Sequence, residues 1–125
     1  MVNTNLYAEV GTWVIDQTSR NWWVQFAPDE EFAHLANDER VLYRIDFSNQ
    51  TEDKIGMGNK FVLGDEWYFD RDWMELPAGA TDTSWIAVAE PPSHLYRVVI
   101  NIGDNIHVDR ITIYHHNEPT MLLMR

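Results

Sequence analysis

The chain contains no cysteine, so neither a disulfide nor a thiolate metal centre contributes to its stability or chemistry. That absence leaves the redox compartment open. Basic residues are scarce: nine Lys and Arg stand against twenty Asp and Glu, for a formal charge of −11. Such a balance argues against direct nucleic-acid binding, which works by neutralising phosphates. It suits solubility, a cationic partner, or mimicry of nucleic acid in the basic cleft of another protein. No run approaches the ~20 apolar residues of a spanning helix, so no membrane span is expected. Residues 1–7 lack the basic and apolar regions of a secretory signal. The expectation for a protein working outside a cell is therefore a processed fragment or a component of an assembly such as a virion. A nucleophile elbow, a phosphate-binding glycine loop and a Cys–His pair are absent too. No catalytic residue is assigned, and an enzyme is not expected.

Apolar residues are plentiful. The chain is 45% hydrophobic and 13% aromatic, with six Trp, which argues against disorder despite the charge. At 125 residues, one domain over 1–125 is expected, large enough to bury roughly two-thirds of its unfolded surface.

The longest β-like run near the C-terminus covers residues 105–114. Its apolar positions alternate at Ile106 and Val108, then at Ile111 and Ile113, so the parity flips across Asp109 and Arg110. A period-two strand keeps both sets on one face only with an extra residue, and the pattern predicts a β-bulge there. Residues 7–16 read as strand broken or bulged at Gly11. Residues 21–26 alternate, with Trp22, Val24 and Phe26 on one face and Asn21, Trp23 and Gln25 on the other. Residues 28–40 are the one helical piece, with Pro28 in the first turn and Asp29, Glu30 and Glu31 at the positive helix end. Residues 41–47 form a strand with Val41, Tyr43, Ile45 and Phe47 on one side. Residues 48–59 read as loop because of Gly56 and Gly58. Short strands are expected at 60–63 and 66–70, joined by a Gly64–Asp65 turn, and at 84–89, 95–102 and 120–124, the last as an edge strand closing the sheet. About ten short strands with frequent turn signals predict an all-β, two-sheet antiparallel jelly-roll sandwich with one short helix or acidic loop. The expected core is Val14, Trp22, Val24, Phe26, Tyr43, Ile45, Trp73, Ile86, Val88, Val98, Ile100, Ile106, Val108, Ile111 and Ile113.

Four pieces in order — residues 41–47, 73–80 with their Pro77-Ala-Gly-Ala80 turn, 84–89 and 95–114 with Val108-Asp109 — resemble the galactose-binding-like β-jelly-roll superfamily. Many carbohydrate-binding modules of polysaccharide-degrading enzymes belong to it. The likeness covers residues 41–114 and speaks to fold more than to ligand. It implies a structural role for Trp73. Some modules of the family hold a structural calcium, and the matching ligands here would be Glu9 and Asp109; where the family often carries a second acid, this chain has Arg110. No other cofactor is expected.

Sugar recognition asks for an aromatic ring against the apolar C–H face and planar hydrogen-bonders for the hydroxyls. Asn21, Trp23 and Gln25 share one strand face, Arg44 and Asp46 another, Arg97 and Asn101 a third, and Tyr68 is a rim contact. These eight residues are the candidate ligand-binding set. The alternative is that residues 28–40 cover Trp23 and the polar groups bond one another. Trp13 and Trp85 are expected in the core. His107 with Asp109, followed by His115 and His116, reproduces no zinc or iron signature. Three functions stay open: a non-catalytic carbohydrate-binding module, a structural or decoration subunit of a viral or surface assembly that oligomerises, and an acidic nucleic-acid mimic acting on a basic protein. The partner is a glycan in the first case and a protein in the others.

Overall fold

The structure is a computed structural model and describes residues 6–90, 92 and 94–117. Its elements are β1 (Tyr7–Thr18), β2 (Trp23–Phe26), α1 (Glu30–Ala36), β3 (Val41–Ser48), β4 (Ile55–Leu63), β5 (Glu66–Leu76), β6 (Thr81–Val88), β7 (Val98–Asn101) and β8 (His107–His116). They form two antiparallel four-stranded sheets, ordered β1-β8-β3-β6 and β2-β7-β4-β5. The chain passes repeatedly from one sheet to the other, which makes the sandwich a jelly roll. No helix among the described residues is long and apolar enough to cross a membrane.

The core lies between the sheets. On β3 the apolar set Val41, Tyr43, Ile45 and Phe47 is buried and faces inward, with Phe61, Leu63, Val98 and Ile100 coming from the opposite sheet. The bulge in β8 falls where the parity flips. Asp46 pairs with Arg110 and Phe47 with Val108, so Asp109 is the extra residue. Val108, Ile111 and Ile113 therefore share the buried face. β1 has a register shift between Glu9 and Gly11, next to the expected break.

α1 closes one end of the sandwich. Asp29 is its N-cap and accepts a hydrogen bond from the Phe32 amide at 2.7 Å, with Glu30 and Glu31 in the first turn. The helix is shorter than residues 28–40, and Pro28 precedes the cap instead of entering the first turn. Phe32 is fully buried, edge-on to Trp13 at 4.8 Å and to Phe26 at 5.5 Å.

Several expectations are corrected. Val14 is 75% exposed, because it pairs with Arg110 on the outer face while its neighbours Trp13 and Ile15 pack against the core. β4 begins at Ile55, so the glycine-containing segment is strand, not loop. β5 is one strand of 11 residues, running past the expected 66–70 to Leu76. Eight strands occur among the described residues; the expected strand at 120–124 lies outside them. Trp22 and Trp73, assigned to the core, are exposed, for reasons that define the site.

Candidate functional site

The outer face of the β2 sheet carries an unusual density of exposed aromatic side chains. Cross-strand register fixes its rows, since directly paired residues share a face. One row is Trp23, Asn101, Lys60 and Phe69; the next is Gln25, Val99, Val62 and Trp67. Trp23 is 48% exposed, Trp67 54% and Phe69 63%, whereas Val62 and Val99 between the edges are buried. Three strand spacings separate β2 from β5, about 14 Å.

Trp22 and Trp73 extend this face at one corner, 49% and 64% exposed. Trp22 leaves the core because the backbone turns it out. Asn21 has φ 53° and Trp22 φ 81°, left-handed values that break the alternation of the preceding residues with β2. A net of bonds between the β1–β2 and β7–β8 turns holds that conformation. The Trp22 amide donates to Asp104 Oδ1 at 3.0 Å, the Trp22 carbonyl accepts from Ile102 N at 2.9 Å, and Ser19 N donates to the Ile106 carbonyl at 2.8 Å. The Ser19 hydroxyl also bonds the Gly103 carbonyl. A left-handed conformation costs a bulky residue of order 1–3 kcal/mol, and such strain clusters at functional sites.

Trp73 is positioned by a missing side chain. A Cβ on Gly56 would lie 1.7 Å from Trp73 Cζ2 and 2.1 Å from its Cη2, so the indole occupies the space any other residue would fill. The Trp22 and Trp73 rings lie 6.3 Å apart and are tilted by 42°. A flat ring inserted between parallel walls needs about 7–8 Å, twice the ordinary contact distance. The pair is thus too close to hold a flat ring between its two members. A pocket of about 360 Å³ forms there, lined by Trp22, Trp73, Phe69, Lys60, Asp72 and Asn101 among others; that volume is in the range of small-molecule sites. Asn59 also contributes to its wall and is buried, with no hydrogen-bond partner for either amide atom among the described residues.

The polar groups of the two outer faces differ. On the β1 sheet they satisfy one another. Arg44 Nε donates to Asp46 at 2.9 Å, Thr83 Oγ1 donates to the same carboxylate at 2.7 Å, and Thr12 donates to Thr112 at 3.2 Å. The Arg44 guanidinium also lies 5.4 Å over the Trp85 ring, and the bond to Asp46 raises its pKa against the opposing effect of burial. On the β2 sheet no hydrogen bond or ion pair among the described residues engages the side chains of Gln25, Lys60, Asp72 or Asn101. Lys60 lies over Phe69, its Nζ 5.3 Å from the ring centre.

Of the candidate residues, Trp23, Gln25 and Asn101 are brought together on this face, with Asn21 in the turn beside Trp22. Residues 28–40 do not cover Trp23. Arg44 and Asp46 belong to the opposite outer face and to each other. Tyr68 packs against the core, the reverse of the rim position expected for it, and burial followed by the charge of Glu66 raises its pKa. Arg97 ties down the β4–β5 turn, donating to the Gly64 carbonyl at 2.8 Å. Glu9 and Asp109 are kept apart. Glu9 pairs with Tyr114, five residues along β8 from Asp109, which is about 16 Å of strand. They do not form the calcium site, and no group of three or more metal-ligating side chains occurs among the described residues.

Trp22, Trp67, Phe69, Trp73, Lys60 and Asp72 were not legible as site residues. Trp67, Phe69, Asp72 and Trp73 share one sequence signal, the crowding of acids around aromatics in residues 65–73, which does not extend to Trp22 or Lys60. Compared with family models, curated proteins and solved structures, the chain gives no match.

Proposed function

We propose that the protein is a non-catalytic carbohydrate-binding module whose ligand lies on the outer face of the β2 sheet. The observation that carries this reading is the pairing of exposed rings with unengaged polar groups on one face: Trp22, Trp23, Phe69 and Trp73 beside Gln25, Lys60, Asp72 and Asn101. Aromatic faces take the C–H surface of a pyranose, and amides and charged groups take its hydroxyls. Membership of the galactose-binding-like superfamily is part of the proposal, supported by the jelly-roll strand order.

A structural or decoration subunit of a surface assembly or virion is the second reading, favoured by the extent of the exposed apolar surface. Lys60 and Asp72, which make no ion pair among the described residues, weigh against it, because the centres of protein interfaces are depleted in charge. The test is a tryptophan-fluorescence titration against a panel of soluble glycans. Saturable binding to one glycan class, lost in Trp73→Ala and Trp23→Ala with the fold intact, supports the module. A flat response across the panel together with concentration-dependent self-association favours the assembly subunit.

A further inference from the structure

Resting on the carbohydrate reading, we infer that the Trp22–Trp73 pocket selects a cationic sugar: a glycan whose ring carries a protonated amine. Two open indole faces meet there, and indole is the best ring for a cation to sit against. Two carboxylates stand at the same corner. Asp72 lines the pocket with no ion pair among the described residues, and Asp104 accepts from the Trp22 amide through Oδ1. Elsewhere on the molecule three cations are matched with acids: Arg44 with Asp46, Lys54 with Glu75 and Arg97 with Asp65. Lys60 is the basic residue in the pocket lining, and it is drawn to Phe69, away from a salt bridge with Asp72. Among the described residues Asp72 and the neighbouring Asp104 stand with one lysine at this corner, and the net charge of −11 adds an attractive field for a cation and a repulsive one for a uronate or sulfate. A neutral sugar offers the carboxylates hydroxyl donors alone, whereas a protonated amine makes the same hydrogen bond with opposite charge.

The same ring with and without its charge gives the test. A glucosamine oligomer and the matching N-acetylglucosamine oligomer are titrated into the intact protein at about pH 5, low enough to protonate the sugar amine while aspartate stays ionised. The charged oligomer is expected to bind roughly tenfold more tightly. That preference should shrink in Asp72→Asn and as salt is raised, with the thermal midpoint unmoved. Equal or tighter binding of the acetylated oligomer, or of neutral glycans, overturns the cationic preference and leaves the carbohydrate reading standing. Binding of no oligosaccharide at all overturns both. Retention of the full preference in Asp72→Asn overturns the role given to that carboxylate.

Discussion

Gly56→Ala separates the site from the fold with a single methyl group. Gly56 does not need glycine for its backbone, since its φ is not among the positive values. Alanine there would ordinarily stabilise the chain by about 0.4–1 kcal/mol through the unfolded state. The new Cβ cannot coexist with the indole, however, because it would sit 1.7 Å from Cζ2 of Trp73 and 2.7 Å from its Cε2. Trp73 is 64% exposed and can swing outward, so the fold loses only surface packing. The net change in stability is expected within about 1 kcal/mol of zero. Losing a tryptophan that anchors a ligand costs about 2 kcal/mol, or roughly thirtyfold in Kd. Urea unfolding and a fluorescence titration on the same sample read the two quantities, and the emission of the displaced indole should shift to the red. Wild-type affinity in Gly56→Ala would refute the placement of Trp73 in the site. A large loss of stability would show instead that the Gly56–Trp73 contact serves the fold.

Trp85→Ala, on the outer face of the β1 sheet beneath Arg44 and 5.6 Å from Tyr114, should cost of order 1–3 kcal/mol in urea unfolding and leave glycan affinity unchanged. Asp29→Ala removes the N-cap of α1 and should lower stability by about 1 kcal/mol, read by the same unfolding curve. Burial, reinforced by neighbouring Tyr68, raises the Tyr43 hydroxyl above its ordinary pKa of 10.0. The folded state then keeps a proton that the unfolded chain releases, so this contribution is intact below pH 10 and is lost as pH rises towards the raised folded value. The urea midpoint should fall between about pH 10 and 11, and Tyr43→Phe should flatten that fall.

Much of the sandwich was legible because period-two alternation decides it. Val41, Tyr43, Ile45 and Phe47 face the core as their spacing requires, and the parity flip around Asp109 marks the bulge. The site was harder to read for physical reasons. Alternation places Trp67 and Phe69 opposite Tyr68 but does not say which side is buried, and the tyrosine packs inward. The 21–26 alternation treats Trp22 as a strand residue, whereas its left-handed backbone is imposed by Asp104 and Ile102, some eighty residues away. Gly56 carries the opposite lesson. In sequence a glycine is a strand breaker, yet here it stays in β4 and makes room for an indole from β5. The shared face of Trp23, Gln25 and Asn101 was legible because each stands on the polar side of a regular strand.

The central claim is that one face binds sugar, and the six indole N–H resonances report on it separately. Trp22, Trp23, Trp67 and Trp73 are on the outer β2 sheet face or its corner, Trp13 packs against the core, and Trp85 is on the opposite face. A titration of the labelled protein with the best-bound glycan, followed by two-dimensional NMR, should move the Trp22 and Trp73 signals first and Trp23 with them, while Trp13 and Trp85 stay in place. Shifts centred on Trp85, or a uniform change across all six, would contradict the account.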